Sequence, residues 1–185
     1  MTLAPIERPE ITLVAGWLAD PENARWLDFG AGHQVLTATS LAVMLQRDIH
    51  VLRAVRVADA EPPVGLVALS NVDRRFRTAQ LWYVLGDKRY AGRGYTTVAV
   101  ARLLDVGFDD IVLDAINAWA VEPNRASIRV LERNHFRLVG RQRQCHYIDG
   151  RPFDRLLFDL LASEFKENRD ARSAESSELT VEVVR

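Results

Sequence analysis

The chain has 185 residues, with 25 acidic against 24 basic side chains and 48% hydrophobic residues. That length suits one domain with a core large enough to fold without disulfides or a metal, and the near-cancelling charges give no general attraction for nucleic acid or a membrane surface. One cysteine, Cys145, excludes an internal disulfide and a cysteine-built zinc cluster, which fits a reducing cytoplasm.

No apolar run is long enough to span a bilayer. Met1-Thr2-Leu3-Ala4-Pro5 sets no charged segment ahead of an apolar one, so no secretory leader is expected. Glu10 to Leu18 reads as a helix, although its Ile-Thr-Leu-Val stretch also suits a strand. Asp20-Pro21-Glu22 supplies the N-cap, N1 proline and first-turn acid of a short helix reaching Leu27. Gly30 to Gln34 is a loop, and Thr39 to Gln46 a helix. Strands follow at His50 to Val57 and Val64 to Leu69, separated by the breaker Glu61-Pro62-Pro63. Asn71 to Arg77 is a basic polar turn leading into the strand Thr78 to Leu85.

The next segment, Arg89-Tyr90-Ala91-Gly92-Arg93-Gly94, lies between that strand and a helix over Thr96 to Phe108. Such a turn makes a phosphate cradle. First-turn amides of a helix have no partner inside it, and the positive end of the helix dipole points the same way. Gly92 and Gly94 let a ligand approach the backbone, and Arg89 and Arg93 add charged donors. No Gly-Lys-Ser/Thr follows, so the turn is not a P-loop. The third glycine and distant acid of a dinucleotide fingerprint are also missing.

Ala115 to Val121 is the next strand, followed by a helix with Arg125, Arg129, Glu132 and Arg133 on its wet face. Phe136 to Ile148 and Phe153 to Leu160 form a hairpin closed at Asp149-Gly150. Residues 1–165 make the expected domain; 166–185, rich in Glu, Arg and Ser, make a tail expected to fray. The order of elements gives an α/β fold with one mixed, mostly antiparallel sheet flanked by helices.

The Arg-x-x-Gly-x-Gly turn resembles the acetyl-CoA pyrophosphate loop of the GNAT N-acetyltransferase superfamily. Asn124 to Arg133 followed by Phe136 is similar to the family's second helix. Asp149 to Phe158, and Trp17 to Glu22 followed by Trp26, resemble the branch of ribosomal-protein N-terminal acetyltransferases. The likeness spans residues 10 to 162. It implies that the strands ending at Leu85 and beginning at Ala115 splay apart and hold CoA. On that reading Tyr83, Val84, Leu85, Arg89, Gly92, Arg93, Gly94, Tyr95, Thr96, Asn124 and Ser127 bind the cofactor.

Transfer of acetyl to a primary amine needs a neutral amine, an oxyanion donor and a proton for the departing thiolate. A lysine-type amine titrates near ~10.4 and an α-amine near ~8, so the former needs more help. The Val84 N–H is the expected oxyanion donor. Many relatives carry a proton-donating Tyr where this sequence has Leu131; Ser127, a water, or more remotely Tyr147 stands in. Where some relatives have a basic Glu, this chain has Gln80. Glu122 and His146 are the candidate bases, against the plainer reading of a strand-end acid and a packed imidazole. His33 and Trp26 are expected at the acceptor wall, with Asp28 and Asp73 as candidate attractors of a cationic amine.

His135 reads as a turn residue, His50 as a strand-start surface residue, Cys145 as a packed thiol, and Trp82 and Trp119 as core. The histidine spacing suggests no metal site. The expected activity is direct acetyl transfer from acetyl-CoA to an amine, a small molecule slightly favoured over a protein N-terminus, by a monomer or homodimer. The competing expectation is a CoA-binding regulatory module without turnover.

Overall fold

The computed structural model describes residues 1–29, 35–58 and 60–171. One seven-stranded sheet runs in the order β1-β2-β3-β4-β5-β7-β6. Its strands are β1 (Thr2–Ala4), β2 (Val51–Arg56), β3 (Gly65–Asp73), β4 (Thr78–Leu85), β5 (Ala115–Val121), β6 (Arg137–Ile148) and β7 (Arg151–Leu161). Every neighbouring pair is antiparallel except β4 and β5. β1 is a short addition to the expected strands.

Helices cover both faces. α1 (Ile11–Ala19), α2 (Pro21–Ala24) and α3 (Ala38–Leu45) lie on one side; α4 (Tyr95–Asp105) and α5 (Arg125–Arg133) lie on the other. The helical reading of Ile11 to Val14 therefore prevails over the strand. Asp20 caps α2 by accepting from the Glu22 N–H at 2.9 Å, as its Asp-Pro-Glu start requires.

Strand alternation divides the core. On β4, Ala79, Leu81 and Tyr83 face α4 and α5, while Trp82 and Val84 face α1 and α3. Leu66, Leu103, Leu104, Leu131 and Leu160 are sealed from solvent, and each such leucine contributes about 1.5–3 kcal/mol relative to exposure. His135 takes φ +63 at the end of α5, a left-handed position that glycine fills without strain. The Asp149-Gly150 turn has φ +49 and +75, as a two-residue hairpin turn of this type needs.

The sheet opens where the cradle begins. β4 and β5 pair only at Thr78–Ala115, Ala79–Ile116 and Gln80–Asn117. Beyond those residues β4 stays with β3 and β5 stays with β7. The expected splay is present, and it leaves a wedge between β4 and β5.

Residues 166–171, expected as the start of a frayed tail, are helical, within a helix over 162–171. Phe165 packs on Phe108 at 4.9 Å between ring centres, and Arg169 meets Asp109 at 2.6 Å. Those two contacts offset the polar composition that suggested fraying. The rest of the expected tail lies outside the described residues.

Candidate active site

A cavity of about 570 Å³ opens at the splay. Leu85 ends β4 at its wall, and the Gly92–Gly94 turn and the start of α4 form its floor. Gly94 precedes α4 with φ +80, and Gly92 has φ +74. A Cβ built at either would meet no atom within 4 Å. The glycines therefore serve the left-handed backbone and the open approach. Val98 N–H is the first in α4 to reach a carbonyl one turn back, that of Gly94, and no side chain caps the helix. Tyr95, Thr96 and Thr97 line the cavity, and their amides have no partner within α4.

The basic groups at this cavity differ from the expected ones. Arg89 is clamped by Asp87, with Nη2 2.6 Å from Oδ2, and Arg93 lies over the Tyr90 ring at 5.3 Å. Neither lines the cavity. Lys88, Arg129 and Arg133 do. Lys88 donates to the Leu85 carbonyl at 2.8 Å and to Asn23 Oδ1, tying the cradle to α2. Burial holds the Lys88 amine below its ordinary pKa. Arg129 and Arg133 are one turn apart on α5, on the face that the sequence marked as merely wet; four-residue spacing is the signal that could have grouped them.

A second cavity of about 570 Å³ lies against the first. Trp26, Leu27, Tyr83, Asn124 and Ser127 line both. Asn124 caps α5 by accepting from the Ser127 N–H at 3.2 Å. The Tyr83 hydroxyl donates to the Ser127 carbonyl at 2.9 Å and lies 2.8 Å from Ser127 Oγ. Burial pushes the Tyr83 phenol far above its usual pKa, so it keeps its proton at neutral pH.

The second cavity is walled by Phe29, Trp82 and Trp119, with Asp28, Arg47, His50, Gln80 and Arg155 supplying its polar groups. Trp82 and Trp119, expected as core, are wall residues instead. The Trp82 ring packs on the core and also lines the cavity, while Trp119 packs against His146 and Arg155. Trp82 Nε1 donates to Ser70 Oγ at 2.8 Å, and Arg155 stacks on Trp119 at 4.1 Å. His50, expected at the surface, also faces this cavity. Desolvation, then the nearby Arg47 charge, lowers its pKa.

Glu122 and His146 line neither cavity. Glu122 pairs with Arg141 at 3.1 Å. His146 is sealed beneath the Arg155 layer. Its Nδ1 faces Arg155 Nη2 at 3.0 Å and so accepts; its Nε2 then donates to the Arg25 carbonyl at 2.7 Å. Burial lowers its pKa. Both ring nitrogens are occupied, which removes it as a base. Tyr147 and Cys145 are exposed, the latter contrary to the expected packing, because β6 is the sheet edge. Asp73 accepts from the Arg75 and Phe76 amides in its own turn. His33 lies outside the described residues. Among those described, no group of three or more metal-ligating side chains is assembled, and no helix is long and apolar enough to cross a membrane.

The family model described as an acetyltransferase (GNAT) domain matches residues 1–137. An uncharacterized N-acetyltransferase p20 of Bacillus licheniformis is 25% identical over 170 residues, covering 89% of this chain and 94% of its own. A spermidine N-acetyltransferase of Vibrio cholerae, solved with CoA and spermine, shares the fold with a TM-score of 0.77 at 20% identity, over 89% of this chain and 96% of its own. A ribosomal-protein-S5-alanine acetyltransferase of Vibrio fischeri does so with a TM-score of 0.72 at 21% identity, over 88% and 93%.

Proposed function

The chain belongs to the GNAT acetyltransferase family, and from that premise we propose that it moves acetyl from acetyl-CoA directly to the primary amine of a small molecule. The observation that carries this reading is the meeting of two cavities at Tyr83 and Ser127. Each reactant has its own chamber, and the reacting atoms face each other at the shared wall. Such placement converts a bimolecular encounter into a local one.

In this reading the diphosphate of CoA lies on the Tyr95–Thr97 amides, with Arg129 and Arg133 beside it. The pantetheine arm runs along Val84 and Leu85, and the Val84 N–H supports the oxyanion. The amine nitrogen attacks the thioester carbon. As the carbon–sulfur bond breaks, Tyr83 turns its O–H from the Ser127 carbonyl to the sulfur. Ser127 Oγ–H continues to donate to the phenol oxygen and stabilises the transient phenolate, which recovers a proton from the amine nitrogen. This gives the role expected of a tyrosine at position 131 to one on β4, whose hydroxyl ends one turn away on α5.

Solved neighbours are named for spermidine and for a ribosomal-protein alanine, and likeness of fold chooses neither. The second cavity, with the rings of Trp26, Trp82 and Trp119 around it, favours a small acceptor over a protein chain. Incubation with acetyl-CoA and an amine panel should release free thiol only when an acceptor is present. One observation favours the non-catalytic alternative: among the described residues, no carboxylate or imidazole lines the shared wall. Tight CoA binding with no thiol release on any amine would establish that alternative.

A further inference from the structure

Among the described residues, the second cavity contains three charged side chains, Asp28, Arg47 and Arg155. Two cancel, because Arg155 Nη2 meets Asp28 Oδ2 at 2.6 Å. Arg155 is further committed to His146 and to the face of Trp119. Arg47 makes no ion pair among the described residues, so the chamber carries one uncompensated positive charge. Its neighbour His50 has a buried Nδ1 with no hydrogen-bond partner. Asn71 and Gln80 share only a long contact of 3.5 Å. These groups gather at one end and offer donors to a ligand.

That end is far from the transfer point. Ser70 pairs with Gln80 across β3 and β4, and Gln80 with Asn117 across β4 and β5. This row marks the last paired position before the splay. Tyr83 is three residues farther along β4, which is roughly 10 Å at ~3.3 Å per strand residue. Between the two ends stand the rings of Trp82 and Phe29, packed edge to face at 5.3 Å. The chamber is therefore polar and positive at its far end, aromatic in its middle, and open to Tyr83 and Ser127 at its near end.

On the basis of the transfer reading above, we infer that the acceptor is an amine carrying an anionic group at the other end of a short apolar stem, with Arg47 holding that anion. A polyamine fits the same shape but sets its second ammonium against Arg47, with no free carboxylate among the described residues of the cavity to receive it. Carboxylate and phosphate share the required chemistry: a negative charge that accepts from a guanidinium, a histidine N–H and side-chain amides.

The test compares aminohexanoate, aminohexyl phosphate and diaminohexane as acceptors for the full chain with acetyl-CoA. The expected kcat/KM favours an anionic amine over the diamine by about tenfold, the effect of exchanging attraction for repulsion at a partly exposed charge. The carboxylate and phosphate arms identify which anion is preferred. Arg47→Ala should raise KM for the anionic amine while leaving kcat and CoA affinity unchanged. Arg47→Glu should reverse the order of preference. A wild-type preference for the diamine, or an order indifferent to Arg47→Glu, overturns the inference while leaving acetyl transfer intact. If no amine is turned over, the transfer reading fails. Calorimetry of the same three amines on CoA-loaded protein then decides separately: tighter binding of an anionic amine supports the inference, and equal, absent or diamine-favouring binding overturns it.

Discussion

The Tyr83 hydroxyl lies 2.8 Å from the hydroxyl of Ser127, joining β4 to α5 across the opening of the sheet. Tyr83→Phe removes the phenol without opening a hole in its largely apolar surroundings. We expect kcat to fall about a hundredfold to ten-thousandfold, the range for losing a proton donor, with KM for acetyl-CoA little changed. Ser127→Ala should lower kcat less. The double variant should be no slower than Tyr83→Phe alone, because both act through one oxygen. Additive losses in steady-state thiol release would mean two independent roles.

Gly94→Ala separates the cradle from the fold. Its φ of +80 imposes a left-handed strain of about 1–2 kcal/mol on alanine, a moderate fall in melting temperature. The new methyl group projects into the space over the α4 amides. Calorimetric CoA affinity should drop by more than that strain alone accounts for. Wild-type affinity in a folded variant would remove the diphosphate from this corner.

Gly86→Ala tests packing behind the cradle. A Cβ there would come within 2.0 Å of the Trp17 ring. Overpacking of this kind costs about 1–3 kcal/mol, so chemical denaturation should show a lower midpoint. Because Gly86 follows Leu85 directly, CoA affinity should weaken in the same variant.

Acid should destabilise the chain through the partly buried His50 and the buried His146. Burial lowers the folded pKa of both His50 and His146 from 6.5. Below ~6.5 the unfolded chain takes up protons that the folded chain refuses, so stability is full above that value and declines as pH falls towards the folded pKa values. His146→Gln should flatten part of this slope in melting curves collected from pH ~7 to ~5. An unchanged slope would show that His146 titrates alike in both states.

The turn ahead of α4 was legible because it is local. Gly92, Gly94 and a strand-to-helix turn are adjacent in sequence, and the order of elements gave the sheet. Asn124 and Ser127 were legible as a helix start. The second cavity was not, because its charged residues come from distant segments. Asp28 and Arg155 are 127 positions apart, and their pairing carries no signal in either segment. Arg89's charge suits phosphate, but its pairing with Asp87 two residues earlier is equally invisible to a motif. Tyr83 was placed with the cofactor by position alone. Its bond to Ser127 depends on how β4 crosses α5, which no periodicity encodes.

The shared wall of Trp26, Leu27, Tyr83, Asn124 and Ser127 has a pharmacological corollary. A single inhibitor made by tethering the acceptor's nitrogen to the sulfur of CoA would fill both chambers at once. Its second half would dock at the high effective concentration set by a tether of a few atoms, so its grip should far exceed that of either fragment.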